Sequence, residues 1–170
     1  MKSYNYYTNI IKKLANKEKN YDWNNGNGFL GRDGIRKKKL RPDGLDREIS
    51  RENLLILKSV FEKHNLFFWL IDGTLLGAVR EKNFIKNDND TDIRIHYHDI
   101  PLLVRCVPEL EEKGLKLLRI SDGEISFMRK NEYIDIEFLR EKTRFTEKFD
   151  KIEFLDTTFN IPNSIDEYLT

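Results

Sequence analysis

Apolar positions along the chain change period several times, and each change predicts an element. Leu54, Leu57, Val60 and Phe61 recur at the spacing of one helix face, with Ser50 placed to cap that helix. Leu66 to Ile71 is a continuous apolar run of strand length, the pattern of a buried strand. Gly73-Thr74 then turns the chain, and Leu75, Leu76 and Val79 mark one face of a short helix. Residues 90–98, DTDIRIHYH, alternate strictly. Asp90, Asp92, Arg94, His96 and His98 share one face, and Ile93, Ile95 and Tyr97 share the other. The stretch 101–113 predicts a helix interrupted at Pro108 and ended by Gly114. Strands are expected over 115–120, 125–130 and 133–139, the last two joined at Asn131-Glu132. A hairpin around Asp156-Thr157 and a final helix capped by Asn163 complete the pattern.

The first fifty residues read differently. Residues 4–13 predict one helix. Residues 20–45 hold WNNGNG, GRDG and RPDG, a cluster of turn signals with few large apolar residues. That stretch predicts an irregular surface loop carrying the basic run Arg36-Lys37-Lys38-Lys39, a solvated charge run in the ordinary case. The chain thus divides into an N-terminal helix with a basic loop segment, 1–49, and a main domain, 50–170.

Charge and cysteine content narrow the function classes. Lys and Arg number 30 against 29 Asp and Glu, so no overall field draws the protein to nucleic acid or an anionic membrane. The single cysteine, Cys106, lies among Leu103, Val104 and Val107 and reads as an inert buried thiol. The opening MKSYNYYTNIIKKL has no continuous apolar stretch of the signal-peptide kind, and no apolar run reaches the roughly 18 residues of a transmembrane segment. A cytoplasmic protein is the expectation.

The chemistry concentrates in IDGTLLGAVREKNFIKNDNDTDIRI, residues 71–95. Carboxylates packed together repel unless a cation sits between them. Asp90 and Asp92, two apart on a strand, point the same way and suit a clamp on Mg²⁺, or Mn²⁺ in its place. A third carboxylate is available in YIDIEFL, where Asp135 and Glu137 share one face. Gly73-Thr74 supplies the complement: glycine allows close backbone approach to an anion, and the N–H groups opening the next helix point toward it. Phosphates cradled beside a carboxylate–metal clamp define a phosphoryl-transfer site.

This order of motifs resembles the nucleotidyltransferase superfamily with the polymerase-β-like fold, and Trp69 to Ile95 resembles the LicD family more narrowly. Gly73, Thr74, Leu75, Leu76, Gly77, Ala78, Val79, Arg80, Phe84, Ile85, Asp88, Asp90, Asp92 and Ile93 fall in the family's register. YIDIEFL is similar to its IDIFPL, and IPNSIDEYL to its C-terminal P-x-x-x-E-x-Y-L. The resemblance implies an α/β (α+β) domain, a small mixed sheet flanked by helices. It implies Asp135 rather than Glu137 as third carboxylate, so that Asp90, Asp92 and Asp135 are the catalytic, metal-holding set. It brings in Asp88 and Arg80 beside Gly73 and Thr74 at the donor. It further implies transfer of a phospho-alcohol, such as phosphocholine or ribitol phosphate, from a CDP-alcohol donor to a saccharide or glycolipid acceptor at the cell surface. Lys86-Asn87 replaces the family's Pro-Trp, and Asn89 replaces the middle of three aspartates.

Three other readings compete. The same clamp serves transfer of a nucleoside monophosphate from an NTP to a sugar, an antibiotic or a macromolecule. A catalytically inactive binding module is the second, against which the intact Asp90, Asp92 and Asp135 argue. The third is a calcium-binding loop starting at Asp88. Its sixth position is Ile93 rather than glycine, and the tract runs into a strand.

Overall fold

A computed structural model describes residues 1–15, 44–121 and 123–169. The turn-rich stretch expected over 20–45, with its basic run, lies outside the described residues but for Gly44 and Leu45. Helix α1 (Tyr4–Leu14) forms where expected and seats Ile11 in the core. The Tyr4 hydroxyl donates to the Ser121 carbonyl at 2.7 Å, tying α1 to the main sheet.

Helix α2 (Arg47–Lys63) buries Leu54, Leu57, Val60 and Phe61 as their spacing predicts. Its cap is Asp46, not Ser50. The Asp46 carboxylate accepts the Glu48 and Ile49 N–H groups at 3.1 and 3.0 Å, while Ser50 is buried inside the helix. An aspartate also meets the positive helix end favourably, which a serine one turn later cannot do.

The expected six-residue strand over 66–71 shrinks to β1 (Trp69–Leu70). The whole run is not free to join a ladder. The Leu66 N–H closes on the Phe61 carbonyl at 2.8 Å, and the Phe68 carbonyl accepts Asn160 Nδ2 at 2.9 Å. Helix α3 (Asp72–Arg80) follows directly, so Gly73 and Thr74 form its first turn rather than a turn before it. Strand β2 (Thr91–His96) starts after Asp90 and ends before Tyr97, which enters a single 3₁₀ turn (Tyr97–Asp99). The strict alternation from 90 to 98 therefore holds only over 91–96, where Thr91, Ile93 and Ile95 are buried. Helix α4 (Ile100–Glu112) runs through Pro108 without a break. Pro108 is exposed, on the outer face of the helix.

Strands β3 (Lys116–Ser121), β4 (Glu124–Arg129) and β5 (Glu132–Leu139) complete a five-stranded sheet of order β1-β2-β5-β4-β3. β2 and β5 are parallel, and the other pairs are antiparallel. The turn between β4 and β5 is Lys130-Asn131, one residue earlier than expected, with both residues at positive φ. Those angles fit the tight hairpin turn that Asn tolerates. A separate hairpin, β6 (Phe149–Phe154) and β7 (Thr157–Pro162), turns at Leu155-Asp156. The short helix α5 (Ile165–Tyr168) begins after Ser164, not Asn163. Among the described residues no helix is long and apolar enough to cross a membrane. The result is a mixed α/β fold whose sheet buries Ile93, Ile95, Ile125, Ile134 and Ile136 on its core side.

Candidate active site

Register decides what the sheet's polar face presents. Asp92 pairs with Asp135 across the parallel β2–β5 ladder, Asp135 with Ser126 on β4, and Ser126 with Arg119 on β3. Directly opposed residues share a face, so Asp92, Asp135, Ser126 and Arg119 form one row. In the next row Arg94 stands opposite Glu137, and its Nε donates to Glu137 Oε2 at 3.1 Å. Arg94 thus pairs with Glu137, and Asp92 is left opposite Asp135.

The N-terminus of α3 meets the start of β2 through two contacts. The Thr74 hydroxyl oxygen, fully buried, accepts the Asp92 N–H at 2.9 Å. Gly73 packs against the Asp88 side chain, and a Cβ at Gly73 would fall 2.9 Å from Asp88 Cγ. Close approach to an anion is indeed what this glycine permits, but the anion beside it is Asp88's own carboxylate. The Leu45 N–H fixes the Asp88 carbonyl at 2.7 Å from behind. Asp72 opens α3 at φ 45, a left-handed angle that aspartate tolerates better than most residues.

One carboxylate oxygen from each of Asp88, Asp90 and Asp92 lies within 4.8 Å of the others. Asp88 and Asp90 reach this group from the irregular segment before β2, not by strand alternation. Asp88 Oδ1 accepts the Asn89 N–H at 3.0 Å, but Asp88 Oδ2 and Asn89 Oδ1 are buried acceptors with no hydrogen-bond donor among the described residues. The Tyr133 hydroxyl donates to Asp90 Oδ2 at 3.3 Å. Orphaned buried oxygens beside two more carboxylates fit a hard divalent cation.

Asp135 faces Asp92 directly across the β2–β5 ladder. It is 5% exposed; its Oδ1 accepts the Ser126 hydroxyl and its Oδ2 accepts Arg119 Nη2 at 3.0 Å. Arg119 and Ser126 thus hold the Asp135 carboxylate from β3 and β4, while Asp88 is the acid whose oxygen lies within 4.8 Å of those of Asp90 and Asp92. Arg80 lies at the far end of α3 from Gly73 and Thr74. It is exposed in the last turn of α3, roughly 9 Å beyond Thr74 along the helix axis. His96 and His98 stack ring on ring at 5.1 Å and stay outside the carboxylate group. Sequence reasoning missed Ser126, Arg119 and Tyr133. The signal was available, since Tyr133 and Asp135 alternate on one strand face.

Crowding of acids shows in their proton affinities. Asp92 is pushed up to about 9, first by burial and then by Asp90, Asp135, Asp88 and Asp72. Asp88 rises to about 6, again chiefly by burial, with the Asn89 N–H opposing and Asp90 adding. Asp135 is raised by burial although Arg119 and Ser126 pull the other way. Without a cation, the site favours carrying protons.

A mixed sheet with acids gathered at the start of β2 beside a helix N-terminus is the frame of a nucleotidyltransferase-fold transferase. Residues 65–161 match the family described as LicD/FKTN/FKRP, nucleotidyltransferase domain, and the chain belongs to that family. The chain is similar to the lincosamide antibiotic adenylyltransferase LnuA, lincomycin-bound, at 15% identity and TM-score 0.50, covering 69% of this chain and 83% of that one. Shorter matches reach two rickettsial proteins. Uncharacterized protein RP689 of Rickettsia prowazekii (strain Madrid E) is 42% identical over 52 residues, 31% of this chain and 20% of its own length. Uncharacterized protein RT0683 of Rickettsia typhi (strain ATCC VR-144 / Wilmington) is 34% identical over 84 residues, 49% of this chain and 26% of its own. The matched region spans about a quarter or less of both relatives.

Proposed function

We propose that the protein transfers a phospho-alcohol from a CDP-alcohol donor to a hydroxyl of a saccharide or glycolipid acceptor, in cell-surface glycan assembly on the cytoplasmic side. The observation that carries the reading is the gathering of Asp88, Asp90 and Asp92 beside the first turn of α3, within the family-matched region. Asp88, Asp90 and Asp92 would hold Mg²⁺, or Mn²⁺, which would supply positive charge beside the donor's diphosphate. Thr74 fixes the start of β2, and with it Asp92, at the mouth of α3, whose free N–H groups face negative charge. Asp135 accepts the proton of the acceptor hydroxyl. The acceptor oxygen then bonds to the phosphorus bearing the alcohol, the bridging P–O bond breaks, and CMP leaves with its electron pair.

A second reading, transfer of a nucleoside monophosphate from an NTP, is favoured by the likeness in fold to the lincosamide adenylyltransferase. Thermal melts with CDP-choline, CDP-ribitol, CDP-glycerol, CTP and ATP, with and without Mg²⁺, separate the two. A donor at 100 times its Kd stabilises the fold by about 2.7 kcal/mol, or roughly 5–10 °C for a domain of this size. The expected result is a Mg²⁺-dependent shift with one CDP-alcohol and little with ATP. A large shift with ATP and none with any CDP-alcohol overturns the proposal in favour of nucleotidyl transfer.

A further inference from the structure

Phosphoryl-transfer sites that use two cations set them about 3.5–4 Å apart, one stabilising the attacking oxygen and one the leaving oxygen. Such a pair needs a carboxylate free to face both. Asp90 and Asp92 sit in that neighbourhood, and Asp135 is the cross-strand partner of Asp92. Yet Asp135 is not free. Both of its oxygens are engaged, by the Ser126 hydroxyl and by Arg119 Nη2.

We infer that Arg119 takes the place of a second divalent cation, so that the site binds one cation, at Asp88, Asp90 and Asp92, while the guanidinium at Asp135 supplies the other positive charge. The inference rests on the reading of those three aspartates as a cation site. Its own support is the way Arg119 is built in. Its Nε donates to Ser126 Oγ at 3.1 Å, its Nη2 bonds Asp135, and the same nitrogen pairs with Glu124. The Arg119 side chain is 17% exposed and Ser126 is fully buried. Anchorage at three acceptors, Ser126 and Glu124 on β4 and Asp135 on β5, leaves the guanidinium little freedom to swing aside. Planar, permanently charged and weakly hydrated, it suits a buried carboxylate as an ammonium does not. A second metal would have to break the Arg119–Asp135 pair or bind beside the guanidinium against like charge. The division of labour follows: the cation addresses the donor's diphosphate, and the Arg119–Asp135 pair faces the acceptor.

Counting bound Mn²⁺ tests this, by calorimetric titration and by the electron paramagnetic resonance signal of free Mn²⁺. Wild-type protein is expected to bind one ion, and Asp88→Asn to weaken it at least about tenfold, the loss typical when a metal's support is removed. The double variant Arg119→Gln/Asp135→Asn replaces the ion pair by a neutral pair of similar shape and keeps the net charge. It is expected to retain one ion with its affinity changed no more than about threefold, as for a group outside the ligand set. Two ions in the wild type, or a tenfold or greater loss in the double variant, overturns the inference while leaving the cation site standing. No Mn²⁺ binding at all overturns both.

Discussion

Asp92→Asn exposes the electrostatic cost of the site without its cation. The folded protein raises the Asp92 carboxyl to about 9, whereas an aspartate in an unfolded chain titrates near 4. At pH 7 the unfolded chain is ionised there and the metal-free fold holds a proton. Taking up that proton costs at most 1.36 kcal/mol for each pH unit between about 4 and 7, roughly 4 kcal/mol. Water reaching a half-buried carboxyl trims this to about 2–4 kcal/mol. A carboxyl whose folded pKa is raised favours the fold below its unfolded pKa, and that advantage fades as pH climbs toward the folded value. In EDTA, wild-type stability should therefore fall from about pH 4 to about pH 9. Asparagine mimics the neutral acid in shape and takes up no proton, so the variant lacks this slope. Expected is a variant equal to wild type at pH 4 and more stable by about 2–4 kcal/mol at pH 7, an increase in Tm of roughly 5–15 °C. Urea or thermal unfolding across pH 4–9 measures it. With Mg²⁺ present the order should narrow or reverse, because only the wild type offers the third carboxylate. A stability difference that stays flat with pH, or a variant less stable at pH 7 in EDTA, refutes the reasoning.

Two further substitutions probe the junction of α3 and β2. Gly73→Ala places a methyl group against Asp88 and should cost about 1–3 kcal/mol, as overpacking does, while weakening Mn²⁺ binding; unchanged stability and unchanged binding would show that the contact is slack. Thr74→Val keeps the shape but leaves the Asp92 N–H without its acceptor, for a loss of about 1–3 kcal/mol by chemical denaturation; Thr74→Ser keeps the hydroxyl and should lose less, and a Val variant as stable as wild type would show that the hydrogen bond adds nothing.

Periodicity in the sequence was enough to place α1, the interior of α2, α4 and the strands β3 to β5, because each buries one face and so repeats at its own period. Chemistry was legible too. Gly73, Thr74, Asp88, Asp90 and Asp92 lie within a single stretch of chain, and the turn that joins them is short. Boundaries were less legible. Asp46 and Ser50 are both good caps one turn apart, and only the packing of Ser50 into the core decides for Asp46. The apolar run at 66–71 carries a strand's composition, but hydrogen bonds to Phe61 and Asn160, distant in sequence or on another element, leave only Trp69 and Leu70 for the ladder. What tertiary structure alone decided is which acids meet. Alternation gives Asp92 a face but not a neighbour; the parallel register of β2 and β5 sets Asp135 opposite it and sends Glu137 to Arg94. Arg119 reaches Asp135 only because β4 pairs antiparallel with both β3 and β5 in the right register, and that pairing is invisible to any local pattern.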